Sequence, residues 1–179
     1  MTDSVARDAA RGDRDAVGVV YAALSPAILG YLRARGVDDP EAMTNDVFVK
    51  LLPIVPELKG GADGLRKLAF TIARARMIDS LRARSRAGTT VPFDPTLDNR
   101  AVPSAEDDAQ AALALARVHA VLDLLPEEQR EVVTLRVVGD LTVEQVAAVI
   151  GKSSGAVKQL QRRGMVAIRR ALQERRVTL

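Results

Sequence analysis

The sequence has no cysteine, no tryptophan and a single histidine, His119. Without thiols there is no disulfide, no thiolate zinc site and no cysteine nucleophile, and one imidazole is too few for a multi-histidine metal site. Aromatics are 3% of the chain: Tyr21, Tyr31, Phe48, Phe70 and Phe93. A core made without them is aliphatic, which favours helices. No glycine-rich phosphate loop and no cluster of carboxylates is present, so nothing points to an enzyme or a bound cofactor. His119, flanked by Val118 and Val121, reads as a structural residue. The longest uncharged stretch, Ala16–Leu32, has 17 residues. It falls short of a bilayer span and is interrupted by Ser25-Pro26. The polar N-terminus, MTDSVARDAARGDRD, lacks the apolar segment of a signal peptide. A cytoplasmic protein with no membrane insertion is expected. No alternating run argues for a strand.

What is present is aliphatic and helical. Of 179 residues, 47% are apolar, enough for one domain or two small ones. The stretch 85–104, SRAGTTVPFDPTLDNRAVPS, carries Pro92, Pro95 and Pro103 and loses all periodicity, because proline disfavours helix at its own position and the one before. The expected fold is all-α: two small helical domains, 1–86 and 105–179, joined by an extended linker, 87–104.

In the first half, Val17, Val20, Leu24, Ile28 and Leu32 recur at spacings of three or four within a helix from Asp13 to Arg35, with Pro26 as a candidate kink. Asp39-Pro40-Glu41 opens a second helix with an N-cap, a proline at the first position and an acid in the first turn. Pro53 and Pro56 end it. A loop over 53–63 and a third helix over about 64–86 follow. In the second half, Ser104 opens a helix reaching Leu125, with a capping box to Asp107. Pro126 starts another helix. Thr142 caps a short one that Gly151 stops, and Ser153 or Ser154 caps the last.

Charge alternates along these elements. Residues 38–63 hold six acids and two bases, whereas 66–86 hold seven bases and one acid. Residues 105–151 hold nine acids and three bases, whereas 152–176 hold eight bases and one acid. A single charge run is usually a solvated helix face. Two basic helices, each closing a half, form the footprint of a phosphate backbone.

The sharpest signal starts at Leu141: LTVEQVAAVIGKSSGAVKQLQRRGMVAIRRAL. Ala147 is small where two helices meet, and Gly151 permits a positive φ at the turn. Val157 and Leu160 return to the core that Val146 and Ile150 complete. This is the spacing of a helix-turn-helix. Lys158, Gln159, Arg162 and Arg163 project from the opposite face of the second helix, where Gln and Arg can read base edges and Lys meets phosphate. Ser153 and Ser154 at the helix start can hold phosphate with hydroxyl and N–H groups.

With this unit the chain resembles the extracytoplasmic-function sigma factors, small members of the sigma-70 family. Leu125–Leu172 resembles their region four. The resemblance implies that Lys158, Gln159, Arg162 and Arg163 meet the −35 promoter element; Ala156 and Leu160 depart from the usual Thr and Arg. PEAMTNDVFVKLL, from Pro40, is similar to the acidic helix of region two. Its counterparts Glu41, Asn45, Asp46 and Phe48 are implied to dock on the β′ clamp helices of core RNA polymerase, with Ala42 in place of an Asp. LRKLAFTIARARMIDSLRARSR, from Leu65, resembles the segment that captures the melted −10 strand, which assigns Arg74, Arg76, Arg82 and Arg84 to its phosphates. Leu68 and Ala75 stand where Trp and Asn are usual. The resemblance further implies a contact of region four with the β flap, promoter DNA as ligand, and an anti-sigma factor as regulator.

An autonomous regulator that binds duplex DNA without polymerase is the alternative. It would have no need of an acidic helix followed by a basic one in the first half.

Overall fold

The computed structural model describes residues 1–58, 60–87 and 105–174, with side chains described outside 85–87 and 105–112. Among the described residues the chain is helical and has no strand. The helices are α1 (Asp3–Ala10), α2 (Arg14–Ala34), α3 (Pro40–Leu51), α4 (Gly61–Ala87), α5 (Ala105–Leu122), α6 (Glu127–Val137), α7 (Val143–Ile150) and α8 (Ser154–Gln173). The expected linker and the capping box at Ser104 and Asp107 lie outside the described residues.

Local chemistry sets the boundaries. Asp13 caps α2 by accepting from the amides of Asp15 and Ala16. Asp39 caps α3 by accepting from Ala42 N, 2.8 Å away, with Pro40 at the first position. Residues 3–10, for which no helix was read from the sequence, form α1, because Ala6 and Ala9 bury one face against α2 and α4. Two expectations need correction. Pro53 does not end α3 in a loop: a 3-10 turn, Leu52–Glu57, carries the chain on and buries Val55. Finally, α4 starts at Gly61 because the Asp3 carboxylate accepts from Ala62 N at 2.8 Å, an anion at a helix N-terminus supplied by α1.

Among the described helices, α2 has the length and hydropathy to cross a membrane. Its stripe Val20, Leu24, Ile28, Tyr31 and Leu32 is fully buried inside the fold, and each such side chain contributes roughly 1.5–3 kcal/mol of transfer free energy. Pro26 lies within the helix, which runs through it unbroken.

The core does not divide between the two halves. One apolar cluster runs from Val20, Leu24, Phe70 and Met77 into Val132, Leu135, Leu141, Val146 and Val157. The second half therefore packs directly on the first, α7 against α4 and α5 and α6 against α2.

Candidate nucleic-acid interface

The helix-turn-helix is built as its sequence dictates. Thr142 and Gln145 form a reciprocal capping box at the start of α7: Thr142 accepts from Gln145 N at 3.1 Å, and Gln145 accepts from Thr142 N at 2.7 Å. Gly151 ends α7 at φ 69°, the left-handed conformation that glycine adopts without strain. Ser153 caps α8 by accepting from Ala156 N at 3.2 Å. The turn is tied to α6 by an ion pair from Lys152 to Glu128 at 2.7 Å.

The recognition helix α8 seats Val157 and Ala171 in the core. Gly164, which sequence reasoning passed over, makes that seating close. A Cβ added there would stand 2.8 Å from Val133 Cγ2 on α6. Arg136 of α6 adds a brace, donating to Gln161 Oε1 at 3.2 Å and to the carbonyl of Leu141. With its back so fixed, α8 turns Lys158, Gln159, Arg162 and Arg163 to solvent, as expected, and Ser153 is exposed at its start with Ser154 half-buried. The exposed face continues through Met165, Val166 and Arg169, none of them singled out by the sequence.

The acidic helix α3 exposes Asn45 and Asp46 and half-exposes Glu41. Glu41 pairs with Arg33, Asn45 accepts from the Tyr21 hydroxyl at 3.3 Å, and Asp46 pairs with Arg76 at 3.7 Å. Phe48 is buried beneath this face, its ring centroid 4.5 Å from that of Tyr21. Val49 is 70% exposed beside them.

The four arginines of α4 do not form one free row. Arg84 pairs with Asp38 at 2.9 Å and Arg76 with Asp46. Arg82 is exposed and makes a further interaction. Arg74 donates from Nε to Glu131 Oε1 on α6 at 3.1 Å. Ala75 is exposed on the same helix, whereas Leu68 and Phe70 pack inward.

Glu131 is the centre of a polar cluster that the sequence did not announce. It is 7% exposed, and it accepts from the Tyr31 hydroxyl at 3.0 Å and from Arg74. Its second oxygen lies 4.0 Å from Arg35. Arg35, whose side chain is 4% exposed, also pairs with Glu127. Burial first, then the Glu131 charge, raise the Tyr31 phenol far above its ordinary value. Burial lowers the Arg35 guanidinium, but the hydrogen bond it donates to Glu127 and the charge of Glu131 outweigh it and leave it raised. The available signal was a helix-wheel one: Glu131 shares a face with Leu135 and Val138, where an apolar residue is expected.

No set of histidine, cysteine, aspartate or glutamate side chains that could hold a metal occurs among the described residues. His119 instead bonds through Nε2 to the carbonyl of Arg33 at 2.6 Å, fastening α5 to the end of α2.

Comparison with known proteins places these features in a family. Residues 121–170 match the family model "Sigma-70, region 4". The chain is similar to the ECF RNA polymerase sigma factor SigD of Mycobacterium tuberculosis, at 30% identity over 91% of this chain and 80% of the relative. It is also similar to the ECF RNA polymerase sigma factor ShbA of Streptomyces griseus, at 32% identity over 90% of each. Its fold resembles that of CnrH, solved in complex with the cytosolic domain of CnrY, with a TM-score of 0.70 at 24% identity over 96% of this chain and 97% of that one. The helix-turn-helix with its outward basic face, the acidic helix followed by the basic one, and relatives matched over nearly their whole length agree: the chain belongs to the ECF family of RNA polymerase sigma factors, the subunits that direct polymerase to promoters.

Proposed function

We propose that the two halves divide the work of promoter recognition, 105–179 as region four and 1–86 as region two, with 87–104 linking them. Region four holds the −35 duplex. Gln159, Arg162 and Arg163 read base edges, Lys158 takes phosphate, and Ser153 and Ser154 bind the backbone at the N-terminus of α8. Region two docks on the β′ clamp helices of core polymerase through Glu41, Asn45 and Asp46, with Phe48 as the rigid backing of that face. Arg74, Arg76, Arg82 and Arg84 follow the phosphates of the melted −10 strand. The protein itself performs no catalysis, needs no cofactor and acts in the cytoplasm, where the polymerase and the promoter are. A protein partner of the anti-sigma kind, as CnrY is a partner of CnrH, would regulate it by covering both halves.

The observation that carries this reading is the outward face of α8, whose cations stay exposed while its back is fixed on α6. The test is co-elution of the purified chain with core RNA polymerase, followed by RNA synthesis from a defined promoter. The expected result is a stable complex that starts RNA at one position. Duplex binding by the chain alone, with no affinity for core polymerase, would favour the autonomous regulator.

A further inference from the structure

Three of the four cations assigned to the −10 strand have a carboxylate beside them. Arg74 meets Glu131 at 3.1 Å, Arg76 meets Asp46 at 3.7 Å and Arg84 meets Asp38 at 2.9 Å. The first carboxylate comes from the second half. The other two come from the first half itself, one from α3 and one from the turn before it. Asp38 and Asp46 are eight residues apart in the chain, and so are Arg76 and Arg84, in the reverse order. The antiparallel packing of α3 on α4 thus makes a ladder of two acid–arginine rungs. Its arginines lie about 12 Å apart at 1.5 Å per residue of helix. Neither rung depends on how the halves pack.

Asp46 already has a proposed role in docking. Asp38 has none. It does not cap α3, because Asp39 does so by accepting from Ala42 N. Its carboxylate accepts from Arg84 Nη1, and its side chain is 63% exposed against 33% for the arginine. An ion pair so exposed adds little to the stability of a fold. Its effect falls on the charge that the surface presents. A phosphate that approaches Arg84 meets the like charge of Asp38 and has to displace it from the guanidinium. The same exposure means that Asp38 does little to hold Arg84 in one orientation, so competition outweighs positioning.

We infer that Asp38 sets the affinity of the first half for single-stranded DNA, by competing with a backbone phosphate for Arg84. The inference rests on the proposed role of Arg84 at the −10 strand. Phosphate contacts carry no sequence information. Asp38 therefore lowers affinity for every sequence alike, and a larger share of the binding is left to contacts with bases.

Asp38→Asn keeps the shape of the side chain and removes its charge. The full chain is assembled with core polymerase, and fluorescence anisotropy reads its affinity for two labelled single strands, an oligothymidine and one of mixed sequence, with core polymerase alone as background. Both strands are expected to bind about two- to fivefold more tightly to the variant at ~0.1 M salt, the range open to an exposed ion pair. The slope of log affinity against log salt should steepen by about 0.7, the value for one further phosphate contact on a single strand. Unchanged or weaker binding would overturn the inference, and so would a gain confined to one of the two sequences. Arg84→Gln is measured alone and together with Asp38→Asn. The gain should vanish when Arg84 is absent; a gain that persists would belong to the general field of the surface and would overturn the pair as its cause. If Arg84→Gln alone binds both strands as the parent does, the role of Arg84 at the strand fails and the inference falls with it. That result differs from a failure of the competition, in which Arg84→Gln weakens binding but Asp38→Asn does not strengthen it.

Discussion

The hydroxyl of Tyr31 donates into a buried carboxylate while its ring stands edge-on to Phe70, with centroids 5.7 Å apart. Burial and the adjacent Glu131 keep this phenol protonated well beyond its ordinary 10.0. The folded chain therefore binds a proton that the unfolded chain loses. Stability from this group is complete below pH 10 and declines above it, by up to about 1.4 kcal/mol per pH unit. Tyr31→Phe is expected to lower stability by about 1–2 kcal/mol at neutral pH, since Glu131 loses a donor, and to flatten the alkaline decline. Urea unfolding at pH 7 and pH 11 checks both; an equally steep decline in the variant would contradict the account. Gly164 makes the second residue-scale case. Gly164→Ala inserts a methyl 2.8 Å from Val133, and overpacking of this kind costs about 1–3 kcal/mol. The melting temperature should fall, and −35 binding with it, because α8 is pushed off its seat on α6.

At the scale of the element, α8 separates its tasks by face. Val157, Gly164 and Ala171 hold it in place, whereas Lys158, Gln159, Arg162 and Arg163 face solvent. Arg162→Ala with Arg163→Ala is expected to weaken binding to a −35 duplex by ten-fold or more, since a bidentate hydrogen-bonded pair between arginine and a base contributes about 1–3 kcal/mol. The melting temperature should hold, and so should binding to core polymerase. Titration of a labelled duplex at two salt concentrations measures the change; retained affinity would refute the assigned face. This helix was legible in the sequence because its signals are local. Thr142 caps with a partner three residues on, Gly151 stops α7 by its own backbone freedom, and Val157 and Leu160 recur at helical spacing. By contrast, α1 was not legible: Asp3–Ala10 is polar in composition, and it is ordered by the small buried faces of Ala6 and Ala9 and by the bond from Ala62 N to Asp3. The same locality explains the 3-10 turn at Leu52–Glu57, where two prolines read as a stop but the burial of Val55 carries the chain on.

For the whole molecule, the two halves pack on each other through one apolar cluster. Small-angle scattering of the free chain at moderate salt is expected to give a radius of gyration near 16 Å, the value for a compact chain of this length, and roughly 20 Å or more would mean separated halves. The amino-acid sequence by itself determined most of the helices, the caps at Asp39, Thr142 and Ser153, and the basic and acidic runs that carry the family resemblance, because each depends on neighbours within one or two turns; α1 and the start of α4, which Asp3 sets from 59 residues away, do not. The tertiary structure alone decided which of those faces are free. Tyr31 and Glu131 are 100 residues apart, and Arg74 and Glu131 are 57. No periodicity or capping rule links such positions. They meet because Phe70, Val132, Leu135 and Leu141 bury a single apolar cluster across both halves, and that burial carries the carboxylate of one half onto the cations of the other.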